Sequence, residues 1–255
     1  MKMNFKIIRF CVILWAAIGY ANAFLYCQDD SAEAMQIVNT MDELYRSQSS
    51  YAEVRMRIVN PHWERTLTMK TWTRGRNKTF ITILSPAREK GVSTLRVENE
   101  MWNYLPKTNK IIKVPPSMMM SAWMGSDFNN DDLVSEFTFR DDYTFSIVSR
   151  DSSRITLKCI PKEGRAIVWG QVQLVVRADD YLPVEEKYFD EKGNLMRVMA
   201  FKQIKTFDHR KIPTIMELTP QNKTGHQTVL EYLELKLDYP VTDRIFSLQN
   251  LRSPE

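Results

Sequence analysis

Apolar side chains return at every second position through most of the chain. Glu53–Ile58, Thr66–Thr71, Ser153–Cys159 and Gln171–Val176 alternate polar with apolar residues, the two-residue period of a strand with one buried face. In Ser153–Cys159 this phase turns Ile155, Leu157 and Cys159 inward. Residues 227–237 place Val229, Leu233, Leu235 and Leu237 on one face, with Leu230 and Tyr232 opposite. Tyr181–Asp190 and Leu195–Ile204 flank Glu191-Lys192-Gly193-Asn194, which reads as a hairpin loop. Ahead of the strands the period changes. Asp30-Ser31-Ala32-Glu33 has the form of a capping box, with Glu33 reaching back. Ala34, Ile37, Val38, Met41 and Leu44-Tyr45 then recur at helical spacing, predicting one amphipathic helix over about 31–48.

Turn signals (Asn60-Pro61, Arg74-Gly75, Ser85-Pro86, Lys162-Glu163-Gly164, Asp179-Asp180) punctuate the chain, and no composition break divides it. The pattern predicts a mainly β protein with few helices (α+β). A single antiparallel sheet of roughly ten strands carries the opening helix against it and curls as strand twist accumulates. The concave face of such a sheet is either a filled core or a ligand cavity.

One segment breaks the strand rhythm. Val114–Gly125 opens on Pro115-Pro116, contains Met118, Met119, Met120, Trp123 and Met124, and is followed by Ser126-Asp127-Phe128. Ser117 is placed to cap, and Met120, Trp123 and Met124 stand at i, i+3 and i+4, predicting a short amphipathic helix. Methionine adapts to irregular apolar partners and is common on binding surfaces. Two readings stay open: a plug that is simply core, and a movable lid over an apolar site.

Composition narrows the function. The 255 residues hold 35 Lys+Arg against 31 Asp+Glu, but Lys2, Lys6 and Arg9 belong to a basic leader. Phe10–Ala21 is an apolar run too short to span a bilayer, and Ala21-Asn22-Ala23 has the small-x-small form of a cleavage site. The sequence thus divides into a signal peptide, 1–23, and one domain, 24–255, exported to the periplasm. Cys27 follows Phe24-Leu25-Tyr26, not the small residue a lipid-attachment site requires. Without the leader 32 cations face 31 anions, which argues against nucleic acid, since its binders need a basic face. Cys27 and Cys159 then remain, as a disulfide or as two free thiols.

Catalytic patterns are missing from the sequence. His62, His209 and His226 stand in polar, turn-like settings without metal-ligand spacing, and neither GxSxG nor HExxH occurs. Asp127-Phe128-Asn129-Asn130-Asp131 begins like a calcium loop but has Asp132 where glycine is required. The expectation is a binding protein with no enzyme activity, metal or cofactor.

Gly91-Val92-Ser93-Thr94-Leu95, Met101-Trp102-Asn103-Tyr104-Leu105-Pro106, Lys110-Ile111-Ile112-Lys113, Gly125-Ser126-Asp127-Phe128 and Asp131-Asp132-Leu133 together resemble the outer membrane lipoprotein-sorting proteins, relatives of the periplasmic carriers LolA and LolB. The resemblance implies an incomplete β-barrel curled around helical plugs, with an interior that accepts acyl chains. It also implies a monomeric carrier whose partners are a lipid or lipid-modified protein and an inner- or outer-membrane acceptor or transporter. The other role open to this fold is an envelope sensor or an accessory subunit of a lipid or efflux exporter. The residues expected to line or gate the cavity are Trp72, Phe80, Trp102, Tyr104, Met118, Met119, Met120, Trp123, Met124 and Phe128. The carriers place an Arg-Pro pair after the first hairpin, whose Arg helps hold the lid shut. Here Thr73-Arg74-Gly75-Arg76-Asn77 lacks the proline, leaving Arg74 and Arg76 as candidates for that part.

Overall fold

Alternation becomes pairing first at the N-terminal end. Strands β1 (Ser49–Val59), β2 (Glu64–Arg74), β3 (Lys78–Ser85), β4 (Ser93–Val97), β5 (Glu100–Leu105) and β6 (Lys110–Lys113) follow one another as antiparallel neighbours. The second run is β7 (Tyr143–Arg150), β8 (Arg154–Pro161), β9 (Gln171–Arg177), β10 (Pro183–Phe189), β11 (Leu195–Phe207), β12 (Arg210–Pro220) and β13 (Gln227–Leu237). β13 then pairs with β1, which joins the two runs into one sheet of 13 strands in the order β6-β5-β4-β3-β2-β1-β13-β12-β11-β10-β9-β8-β7. The computed structural model describes residues 30–44, 47–134, 139–165 and 167–252. The expected signal peptide and Cys27 lie outside the described residues, so Cys159, a buried thiol that burial pushes up to about 12, stands alone here.

β6 and β7 are the sheet edges and do not pair with each other, so the barrel is incomplete. Its curl is a consequence of width: a twisted open sheet rarely exceeds about ten strands without curling or splitting. The inner face carries one large apolar cluster. Ile155, Leu157 and Cys159 of β8 and Val172, Leu174 and Val176 of β9 all point into it, at the phase the alternation predicts.

Helix α1 (30–43) lies against this cluster through Ala34, Ile37, Val38, Met41 and the following Leu44. It is shorter than the spacing predicts. Ser47-Gln48-Ser49-Ser50 is a poor helix sequence, because short polar side chains compete for the backbone, and Ser47 Oγ donates to the Ser49 carbonyl at 2.6 Å. Glu33, the acid of the capping-box pattern, accepts hydrogen bonds from Arg150 and, at 3.2 Å, from Tyr181.

In β13 the face assignment also changes. The β1 register runs from Glu53↔Glu234 to Val54↔Tyr232, so Leu233 is an extra residue in a bulge and stays exposed. The bulge reverses the phase and brings Leu230 and Tyr232 to the same face as Leu235, instead of opposite it.

A smaller cluster covers the outer face of β3–β5. Phe80, Leu95 and Tyr104 pack beneath Val241, Phe246 and Leu251, which belong to the C-terminal stretch containing a 3-10 turn (Asp243–Phe246) and a short helix (Leu248–Arg252).

Candidate functional site

The connection from edge β6 to edge β7 crosses the inner face, and its sequence explains its path. Pro115-Pro116 ends β6 and starts a single 3-10 turn, η1 (Pro116–Met118). No amphipathic α-helix follows, contrary to the expected spacing. Ala122 bridges Asn129, and the Trp123 N–H donates to the Phe128 carbonyl at 2.8 Å, so residues 122–129 form a tight loop. At its tip η2 (Trp123–Gly125) contains Met124 at φ 51° and Gly125 at φ 71°, two successive left-handed residues that no helix accommodates.

Each position of Gly125-Ser126-Asp127-Phe128 serves that loop. Gly125 takes the positive φ, and Ser126 Oγ donates to the Trp123 carbonyl at 2.7 Å. Asp127 is tied to β13, its N–H donating to Thr228 Oγ1 at 3.0 Å and its Oδ2 accepting from that hydroxyl at 2.8 Å. Phe128 is buried in the inner cluster. The acidic run that starts like a calcium loop is therefore occupied with structural ties. Asn129 and Asp132 also exchange backbone-to-side-chain bonds at 2.8 and 2.7 Å, which begins α2 (Asn130–Val134).

Two cavities flank this crossing segment. The first, about 220 Å³, lies between α1 and strands β1–β3 and is walled by Met41, Val54, Met56, Met69, Ile81 and Trp123. The second, about 250 Å³, lies towards β10 and β11 and is walled by Phe139, Tyr143, Trp169, Tyr188, Arg197 and Met199. Phe128, Asp132, Leu133, Met216, Leu230 and Tyr232 border both, so Phe128 and α2 form the partition.

The partition is held down by charge. Arg197 of β11 donates from Nη1 and Nη2 to the two carboxylate oxygens of Asp132, at 2.8 and 2.7 Å. The Arg197 side chain is 8% exposed and Asp132 16%, so the pair sits in a low-dielectric setting where its attraction is strong but its desolvation costly. The guanidinium lies 4.5 Å from the Trp169 ring centre and 4.3 Å from that of Tyr188. Tyr188, the register neighbour of Arg197, donates its hydroxyl to Glu186 Oε2 at 2.5 Å. Burial raises the Glu186 carboxyl to about 7, against the opposing pull of that hydrogen bond and of Arg197. Glu186 Oε1 and Arg197 Nε have no hydrogen-bond partner among the described residues.

The expected site residues divide into three groups. Trp123 and Phe128 line the cavities, and the Trp123 indole N–H donates to Thr94 Oγ1 at 3.2 Å. Met124 packs against the inner cluster, Met119 is half-buried, and Met118 and Met120 are 50% and 46% exposed. Trp72, Phe80, Trp102 and Tyr104 belong to the outer cluster, on the reverse of the sheet from both cavities. The inward neighbours of the first three, one residue away along each strand, are Thr71 for Trp72, Thr79 and Ile81 for Phe80, and Met101 for Trp102. Arg74 and Arg76 pair with Asp243 and Asp141, and the arginine that donates to the loop backbone, at the Met124 carbonyl, is Arg65.

Glu186 and Arg197 carry a sequence signal of their own. Each occupies an inward phase, Glu186 with Tyr188 and Arg197 with Met199, on the two strands of one hairpin. An acid and a base at core positions of neighbouring strands mark a buried polar network. Among the described residues, no three His, Cys, Asp or Glu side chains are grouped so as to hold a metal ion, and no helix is long and apolar enough to cross a membrane.

Solved structures share this architecture. A protein of the DUF1329 family from Desulfovibrio piger superposes with a TM-score of 0.79 at 23% identity, covering 87% of this chain and 99% of its own. An outer membrane lipoprotein-sorting protein domain from Vibrio parahaemolyticus gives 0.75 at 19% identity, with 87% and 99% covered. A LolA superfamily protein from Nitrosomonas europaea gives 0.71 at 22% identity, with 85% and 98% covered. No curated protein matches the sequence. A family model described as "Uncharacterized protein" matches residues 75–253, well over half of the chain. The protein belongs to that family, and its fold is the LolA-like incomplete barrel of the lipoprotein-sorting proteins.

Proposed function

We propose that the inner face holds the acyl chains of a lipid or lipid-modified polypeptide and that the protein carries them through the periplasm to a membrane acceptor. The observation that supports this reading is the pair of largely apolar cavities divided by Phe128 and a five-residue helix. Joined, they reach the size of ordinary small-molecule sites, roughly 300–1,000 Å³. Each buried methylene contributes about 0.8 kcal/mol, so an acyl chain of a dozen carbons gains on the order of 10 kcal/mol before the costs of association and of moving the partition. That balance permits holding in water and release to a better acceptor without covalent chemistry. The domain is 24–255, freed of its leader by export, and it acts as a monomer.

The test is uptake of a fluorescent fatty acid, with native mass spectrometry of protein purified from envelope extract. Wild type is expected to take up the probe saturably and to co-purify with lipid. Leu230→Trp, which puts an indole into space bordering both cavities, is expected to lower uptake at least tenfold in protein that remains folded. Absence of saturable uptake by wild type ends the proposal.

A further inference from the structure

Carboxylates stand in the walls of both cavities, but only the second is also lined by a cation. Arg197 is 6% exposed, yet it lines that cavity beside Trp169, Tyr143 and Tyr188. A structural tie between α2 and β11 would not require an arginine, since apolar residues of similar volume serve a buried contact as well or better than an ion pair. The guanidinium rests against two adjoining rings, Trp169 and Tyr188, whose centres are 5.1 Å apart, and its fork matches a carboxylate or phosphate in two-point contact. It also retains an unused donor, Nε, and nearby Glu186 retains an unused acceptor, Oε1. Buried polar atoms without partners are uncommon and call for an explanation. Asp132, the group now on the fork, lies on the short helix that divides the two cavities.

We propose that Arg197 is the anchor for the anionic head group of the cargo, and that this head group exchanges with Asp132. The inference rests on the acyl-carrier reading and adds to it the class of ligand: a chain ending in an oxyanion, carboxylate or phosphate. As the ligand's oxygens take the two Nη donors, Asp132 leaves the guanidinium and α2 is no longer tied to β11. The partition then yields and the acyl chain extends into the first cavity. Head-group recognition and chain admission become one event. A neutral head group offers Arg197 nothing that Asp132 does not already provide, so it leaves the partition in place.

The experiment compares three probes of one acyl length by calorimetry: a lysophosphatidic acid, the fatty acid and the monoacylglycerol, with inorganic phosphate as a fourth arm. Wild type is expected to bind both anionic lipids at least tenfold more tightly than the monoacylglycerol, and inorganic phosphate only at millimolar concentration. Asp132→Asn weakens the internal rival at nearly constant shape, so the anionic-to-neutral preference should rise several-fold. Arg197→Gln should bring that preference to about one, and if this variant does not fold, Asp132→Asn decides alone. Equal binding of anionic and neutral lipids by wild type, or a preference unchanged in Asp132→Asn, overturns the anchor while the acyl-carrier reading stands. Inorganic phosphate as tight as the lipids overturns the lipid assignment of the anchor. If no lipid binds, the carrier reading falls and takes the anchor with it.

Discussion

Two apolar clusters lie back to back on strands β2–β5, and they have opposite characters. On the outer face Phe80 and Leu95 are fully buried beneath Phe246 and Leu251, and Trp72 meets Phe80 at a tilt of 49°, with ring centres 5.7 Å apart. On the inner face the same strands present Met69, Thr71, Thr79 and Ile81, smaller or more flexible side chains, and space of about 220 Å³ remains before them. The strongest aromatic signal of this region thus belongs to a closed structural layer, and the weaker, mixed positions belong to the cavity. Large rings fill; small and soft side chains leave room.

This contrast can be broken by experiment. The largest effect is expected at Phe80, 1% exposed in the closed layer: Phe80→Ala should cost about 3–5 kcal/mol, read from the urea midpoint. Folded protein should still take up acyl probe with the wild-type affinity, and a matching loss of uptake would mean that the two layers are not separate.

The next effect belongs to the inner network. Glu186 faces Tyr188, Arg197 and Asp132, with Cys159 and Tyr143 also near enough to interact, and its carboxyl is raised to about 7 from an ordinary value of 4.5. Below the lower value it is protonated folded or unfolded and has no effect on stability. As pH rises through the interval the unfolded chain ionises first, so stability falls, and above about 7 the deficit is constant. Its size is about 3 kcal/mol, the free energy of that shift. Glu186→Gln should therefore be more stable than wild type at pH 8 by up to that amount and indistinguishable at pH 4. Equal pH profiles for the two proteins would show that the carboxyl is not held neutral by burial.

Smallest is Met120→Ser. With 46% of this residue exposed, stability should change by no more than about 0.5 kcal/mol, and stopped-flow mixing should locate any effect in the rate of probe entry.

Much of the fold was legible because half-buried strands write their faces into alternation. β1, β8 and β9 are legible from that period, and the β10–β11 hairpin from the Glu191-Lys192-Gly193-Asn194 loop that its two strands flank. β3 was hidden because Phe80, Ile81, Thr82 and Ile83 are all buried, a run without alternation that comes from having both faces covered. The same double covering sent Trp72, Phe80, Trp102 and Tyr104 to the wrong side: periodicity separates two faces but does not say which one encloses space. The bulge at Leu233 reverses a phase in mid-strand and leaves no local mark. Asp132 and Arg197 are 65 residues apart, and only the topology brings them together.

The pairing of β1 with β13 has a consequence for how the binding face comes into being. Ser50 opposes Leu237, so the contact that joins the two strand runs brings together the first and last strands of the sheet. Each run can form neighbour by neighbour through short connections, whereas this last seam must wait for the final strand and pay the entropy of the longest loop. Residues on both sides of the seam, Met56 and Leu235 among them, wall the first cavity. A chain still emerging, or cut short before β13, therefore lacks the β13 wall of that cavity, and the uptake proposed for it requires the finished molecule.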